Sequence, residues 1–274
     1  MAGNAMLIMK NVTKTFHTGT VNEKCALNHV SLTLQEGDFA TIVGSNGAGK
    51  STLFHAIAGS FFVDCGQIVL GGEDITYQKE YVRSRVIGHL FQDPSKGTAP
   101  HMTIEENMAL ACLHTATARH AYFGRIKAAD KERFKERLAQ LDMGLENCLK
   151  KPAGLLSGGQ RQALALLMAT MVTPRLLLLD EHTAALDPAT AHKVLELTRQ
   201  IVVSRQITCL MVTHNMRQAL ALGNRTLMMD GGDIVLDVQG RERSEISVDD
   251  LLEQFALHAG KKMDNDRILF AKTE

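Results

Sequence analysis

Gly44-Ser45-Asn46-Gly47-Ala48-Gly49-Lys50-Ser51 is the stretch on which the reading of this chain turns. It fits G-x-x-x-x-G-K-[ST], the pattern of a phosphate-binding loop. The residues on either side fit as well. Phe39-Ala40-Thr41-Ile42-Val43 is mostly apolar and predicts a short buried strand; Thr52 to Ala58 has helical spacing and stops at Gly59, a suitable C′ glycine. Between strand and helix, glycines without Cβ atoms let backbone N–H groups curl round a polyphosphate, and the helix adds its positive N-terminal end. Lys50 is expected to reach the β- and γ-phosphates, and the Ser51 hydroxyl to ligate Mg²⁺, with the cradle extending through Thr52. A glycine-rich turn that happens to contain Lys-Ser is the bland alternative. The flanking elements weigh against it, and the chain is read as a nucleotide binder.

The composition allows this. A chain of 274 residues with 45% hydrophobic residues can bury the core of one large domain or two small ones. Its formal net charge of zero argues against a broad nucleic-acid footprint, so no nucleic-acid partner is expected. Cys25, Cys65, Cys112, Cys148 and Cys209 are odd in number, scattered and without a C-x-x-C pair, which predicts reduced thiols packed as small hydrophobes. The histidines form no H-E-x-x-H pair. No apolar run reaches the length of a membrane span, and Met1 to Lys10 lacks the basic and apolar regions of a signal peptide.

Working outward, Met6 to Met9 predicts a strand, and Val30, Leu32 and Leu34 alternate with Ser31, Thr33 and Gln35 as in a half-buried strand. Gln67 to Leu70, closed by Gly71-Gly72, predicts another. These suggest an antiparallel layer beside a parallel nucleotide-binding core. Val86 to Phe91 reads as a strand ending at Gln92-Asp93-Pro94, after which the texture turns helical. Thr103-Ile104-Glu105-Glu106 is a capping-box start. Lys127 to Leu141 alternates charges, with Phe134, Leu138 and Leu141 on one side, and reads as a helix with one solvated face. Leu176 to Leu179 is a continuous apolar run, as in a strand buried on both faces. Asp187-Pro188 opens a helix to about Arg205, Thr208 to Val212 is the next buried strand, and a helix starts near Met216. Strands Thr226 to Met229 and Ile234 to Val238 follow, and Ser247 to Asp250 starts a last helix with Leu251, Leu252, Phe255 and Ala256 on its apolar side. The domain plan is therefore an α/β core with an antiparallel β layer in residues 1–92 and 159–245, a helical subdomain in 93–158 and a short helical extension in 246–274.

Two further stretches carry chemistry. The run of leucines ends in Asp180-Glu181. A carboxylate at a strand end near the phosphate loop can hold Mg²⁺, and the next can polarise a water, so Asp180 is assigned to the metal and Glu181 to general base. Leu156-Ser157-Gly158-Gly159-Gln160 precedes a helix with an apolar spacing through Met171. Ser157-Gly158-Gly159 at that helix N-terminus makes a second anion site; a Ser cap with flexible glycines is the bland reading.

With these motifs in this order, over about residues 6–240, the chain resembles the ATP-binding subunits of ABC transporters. The resemblance implies a P-loop core of the ABC ATPase type. It implies ATP and Mg²⁺, and a head-to-tail dimer in which each ATP lies between one copy's phosphate loop and the other's Leu156–Gln160 signature. It makes Gln92 a sensor of γ-phosphate and Mg²⁺ beside the surface where membrane subunits dock. It makes His214 the switch histidine at the γ-phosphate, and Asp187 a link across the dimer. Phe16 falls where the family stacks an aromatic ring, more often Tyr, on adenine. His182 stands where the family often has Pro. It reads as a feature of loop conformation, and His182→Pro is expected to leave ATPase activity nearly unchanged.

The function that follows is an ATPase subunit that drives separate transmembrane permease subunits. The resemblance places it peripherally on the cytoplasmic face of a bacterial inner membrane, alongside a solute-binding protein. Import is favoured because the head is not fused to a spanning domain, and Asp180–Pro188 with Val212–Met216 looks closest to the amino-acid-type group. A soluble assembly ATPase of the iron–sulfur cluster type and an exporter ATPase stay open. Chromosome-organising ATPases are excluded because residues 52–155 hold no long heptad repeat, and a small-molecule kinase has no use for the signature or the switch histidine.

Overall fold

The computed structural model describes residues 4–113 and 126–259. The first residues, part of the 93–158 stretch and residues 260–274 of the proposed extension lie outside these, as do the side chains of Phe255 and Ala256. The described strands are β1 (Ala5–Phe16), β2 (Lys24–Gln35), β3 (Phe39–Gly44), β4 (Cys65–Leu70), β5 (Glu73–Asp74), β6 (Ile87–Leu90), β7 (Leu176–Asp180), β8 (Thr208–Val212), β9 (Arg225–Asp230) and β10 (Asp233–Gln239). The described helices are α1 (Lys50–Ala58), α2 (Glu80–Arg83), α3 (Ile104–Cys112), α4 (Ala128–Ala139), α5 (Gly158–Thr170), α6 (Pro188–Ser204), α7 (Met216–Ala221), α8 (Gly240–Glu245) and α9 (Val248–Ala259).

Among the described residues the strands form two sheets. One runs β10-β9-β3-β8-β7-β6, parallel except for the antiparallel β10 edge; the other, β2-β1-β4-β5, is antiparallel throughout. The leucines of β7 show why the parallel sheet must be covered on both sides. All four are fully buried, yet Leu176 and Leu178 join a cluster with Leu53, Phe54 and Ile57 of α1, while Leu177 and Leu179 join one with Ile104, Met108, Phe134 and Leu164. Because side chains alternate across a strand, each face of this strand completes a different core. The helical stretch thus packs beneath the sheet through Phe134, Leu138 and Leu141, the positions its spacing singled out. The Thr103–Glu106 capping box is formed, with the Thr103 hydroxyl accepting from Glu106 N and the Glu106 carboxylate accepting from Thr103 N.

The antiparallel layer is longer than its apolar positions predict. β1 extends to Phe16 because it pairs with β2 from Ala5↔Gln35 to Phe16↔Lys24. Register shifts there accommodate Asn11, whose φ is 48° and whose N–H is taken up by Ser31 Oγ. A second feature invisible in the pattern is Arg83, 1% exposed. Its guanidinium donates to the carbonyls of Ala56 and Ile57 at the end of α1, and to those of Thr76 and Gln78. Those α1 carbonyls have no partner within the helix, so Arg83 satisfies them and fixes the far end of the helix that leaves the phosphate loop.

Candidate functional site

β3 delivers the chain into the loop at Gly44, and α1 begins at Lys50 with Gly49 as its cap. Two glycines are dictated by close backbone approach. A Cβ on Gly44 would collide with the Met229 carbonyl, and one on Gly49 (φ 104°) would lie 2.5 Å from the Ala26 carbonyl. Both neighbours belong to other strands, so β9 and β2 pack against the loop too closely for a side chain at either position. Gly49 offers no side-chain cap. The first N–H groups of α1 are therefore left for a ligand, with the helix dipole behind them.

Lys50 is 5% exposed, and its ammonium donates to the carbonyls of Gly44 (2.8 Å) and Ser45 (2.9 Å). A cleft of about 240 Å³ opens over the loop. Asn46, Gly47 and Gly49 through Thr52 line it from below; Phe16 and Lys24 reach it from the β1–β2 hairpin, and Glu181 and His214 from beyond β7 and β8. Gly44, Ser45 and Ala48 do not line the cleft. Ala48 is buried, and Ser45 Oγ donates to Asp230 at 3.3 Å. Phe16 meets the edge of Phe61 with ring centroids 5.4 Å apart.

The acids sit where β7 ends. Burial raises the proton affinity of Asp180, and the Glu181 charge raises it further, against smaller opposing effects from His55, Lys50 and His214. Such a carboxylate gains from a cation placed beside it. Glu181 adopts φ 44°, a left-handed backbone unusual for a side chain of this size, held by its N–H to Val212 O and by Ala184 N to its own carbonyl. That turn brings Glu181 Oε1 to 2.5 Å from His214 Nε2, so the proposed base and the proposed switch histidine meet directly.

His182, next along, points the other way. It is 1% exposed, and its Nε2 lies 3.2 Å from Thr198 Oγ1 on α6. Thr198 already donates its hydroxyl to Val194 O, so His182 Nε2–H is the donor to Thr198 Oγ1. Burial pushes its pKa down to about 4. Its Nδ1 is buried and has no hydrogen-bond partner among the described residues. His182 therefore braces the turn against α6 and stands clear of the cleft.

The second anion motif is built differently. Ser157 caps α5, its hydroxyl accepting from Gln160 N, while Gln160 Oε1 accepts from Ser157 N and Gln160 Nε2 donates to Met143 O. Gly159 is glycine because a Cβ would collide with the Thr190 methyl on α6, and one on Gly158 would lie 3.3 Å from Leu186 Cδ2. Leu156 is buried, whereas Ser157 and Gly158 face outward. Asp187 caps α6 through Thr190 N. Within one chain the fold brings Phe16, Asn46, Gly47, Gly49 through Thr52, Glu181 and His214 to one cleft, with Asp180 near enough to feel the charges of Lys50 and His214. It does not bring Ser157–Gln160, Asp187 or Gln92 there. Gln92 is exposed two residues past β6. Sequence reasoning also missed Lys24 and Ala26, which join the lining because β2 starts well before the alternating apolar positions that announced it.

Residues 27–184 match the family model described as ABC transporter. The chain belongs to the ABC transporter family. It is 41% identical over 250 residues to the tyrosine transport ATP-binding protein of Clostridioides difficile (strain R20291), covering 91% of this chain and 98% of that one. It is 36% identical over 206 residues to the thiamine import ATP-binding protein of Yersinia pseudotuberculosis serotype I, covering 75% and 81%. Among solved ABC cassettes, a dimeric post-hydrolysis state bound to ADP and Pi matches with a TM-score of 0.72 at 28% identity, over 85% of this chain and 98% of that one. An ADP-conformation cassette of an ABC transporter matches with the same score at 25% identity, over 93% and 99%. The chain is thus an ABC-type ATP-binding subunit and an ATP hydrolase. Among the described residues no helix is long and apolar enough to cross a membrane, and no group of three His, Cys, Asp or Glu side chains could hold a metal by itself.

Proposed function

We propose that this ABC ATPase powers uptake of a small solute, an amino acid or close relative, through separate permease subunits on the cytoplasmic face of a bacterial inner membrane. The relatives named for tyrosine and thiamine transport, and a choline transport protein of Bacillus subtilis (strain 168), favour import over the assembly and exporter readings. The tyrosine transport relative, matched over nearly its whole length, favours an amino-acid cargo; in this reading a solute-binding protein delivers it to the permease.

In this reading Phe16 stacks on adenine, and the Gly44–Thr52 cradle with Lys50 holds the phosphates. Ser51 and Asp180, with Gln92, would supply hard oxygen ligands for Mg²⁺, which would neutralise phosphate charge when bound. Glu181 takes the proton of the attacking water, and His214 orients the γ-phosphate end of the site. In the dimer, Leu156–Gln160, at the junction of the helical subdomain and α5, would face the cleft of the other copy, where Asp187 also bears on the second site.

One observation supports the two-copy mechanism. The cleft holds Glu181 paired with His214, while Ser157, at the helix N-terminus read as a second anion site, does not line it and is exposed. Clamping one triphosphate between two copies makes the closed dimer the ATP-favoured state, and hydrolysis releases it. Size-exclusion chromatography of Glu181→Gln with ATP tests this: a dimer that disperses in ADP is expected. A strictly monomeric variant, alone and when reunited with its permease, overturns the mechanism. Co-purification of the permease and its binding protein, followed by cargo identification, tests the import reading.

A further inference from the structure

Lys24 stands at the first position of β2, directly opposite Phe16 in the register of the hairpin, and lines the same cleft. Its ammonium reaches the loop itself: Nζ lies 3.4 Å from the point a Cβ on Gly47 would occupy. Gly47 has φ 84° and no side chain, so nothing of the loop holds the ammonium away. Among the described residues Lys24 has no ion-pair partner and no side-chain hydrogen bond, although it is exposed and long enough to find one. A triphosphate brings several negative charges into a cleft whose own lining includes one carboxylate, Glu181. Lys50 answers part of that charge from within the loop; the opposite wall offers Lys24.

We propose that Lys24 is a second cationic arm of the phosphate cradle, reaching across from the β1–β2 hairpin over Gly47 to the phosphate chain of the bound nucleotide. This rests on the nucleotide reading of the cleft and adds a contact from a different sheet. The adenine-stacking residue and the second cation then belong to one hairpin, so docking of the base and neutralisation of the phosphates are coupled mechanically. A flexible ammonium makes a point-charge contact of this kind without needing the fixed geometry of a guanidinium.

Calorimetric titration of the full-length chain with ATP, ADP and adenosine tests the assignment. Lys24→Met keeps the aliphatic stem and removes the charge. It is expected to weaken ATP and ADP about tenfold, equivalent to about 1.4 kcal/mol, and to leave adenosine unchanged. The deficit should narrow as ionic strength rises, and Lys24→Arg should restore most of the affinity. In turnover, KM should rise while kcat holds, because the contact is made equally in ground and transition states. ATP affinity in Lys24→Met within about twofold of the parent overturns the proposal, as does an equal loss for adenosine, which would assign Lys24 to the base. A parent chain that binds neither ATP nor ADP overturns the cleft reading itself, and that result appears before any variant is made.

Discussion

The two stretches proposed to bind phosphate, Gly44–Ser51 and Ser157–Gln160, are built on opposite plans. At Gly44–Ser51 the loop is gripped from outside by Met229 and Ala26, its lysine is folded onto its own carbonyls, and acid, histidine and aromatic ring share its cleft. At Ser157–Gln160 the capping box is closed within itself and Gly159 is packed against Thr190 of α6, while Glu181 and His214 line the other cleft. In the proposed two-copy mechanism the first would hold the nucleotide, and the second would dock on it as a tip whose capping hydrogen bonds are already made, so less of its own ordering would be lost on contact.

The sharpest way to break this comparison is to remove the base. Glu181→Gln should lower steady-state phosphate release by about 10²–10⁴-fold while ATP still binds, because a general base contributes on that scale. Normal turnover would move the chemistry elsewhere. Next in size is a paired test of the glycines. Gly49→Ala should abolish measurable ATP binding, since its Cβ meets the Ala26 carbonyl at a positive φ. Gly159→Ala should keep ATP binding within about twofold yet lose most turnover, since displacing Thr190 tilts the tip rather than the cradle. If both substitutions abolish binding, the two sites are not separable.

A third test addresses the junction beneath the cradle. His89 on β6 packs against Phe91, with centroids 4.1 Å apart, beside a cavity of about 340 Å³ lined by α1, α3 and α5 residues. Burial, with a smaller push from His55, lowers its pKa from 6.5 to about 4. Between those values the unfolded chain holds a proton that the folded chain refuses. Stability is therefore full above about pH 6.5 and falls as pH drops toward 4, by at most about 3 kcal/mol from this group. Denaturant titrations of His89→Leu should lack that part of the slope; an unchanged slope would show that His89 protonates freely in the fold. Smallest is His182→Pro. It should leave kcat within about twofold and lower stability by about 1–2 kcal/mol, through loss of the Thr198 bond and of buried volume. A collapse of turnover would make the α6 brace part of the catalytic geometry.

Local sequence was enough for much of this protein. The apolar runs at Phe39–Val43, Leu176–Leu179 and Thr208–Val212 each became a strand of the parallel sheet, and Thr103, Ser157, Asp187 and Asn215 each cap a helix through their own side chains. Periodicity and capping act over a few residues, so they can be read along a line. What no local rule could supply came from contacts between distant segments. Lys24 entered the cleft only because β2 pairs with β1 through a polar stretch, and Arg83 reached α1 only after folding placed it there. The reason that Gly159 must be glycine lies on α6, and the direction of His182, away from Glu181's cleft, was set by a threonine sixteen residues on. Sequence determined which elements form and which residue types carry charge; tertiary packing alone decided which of those charges share a cleft, because a side chain's neighbours depend on how distant elements dock.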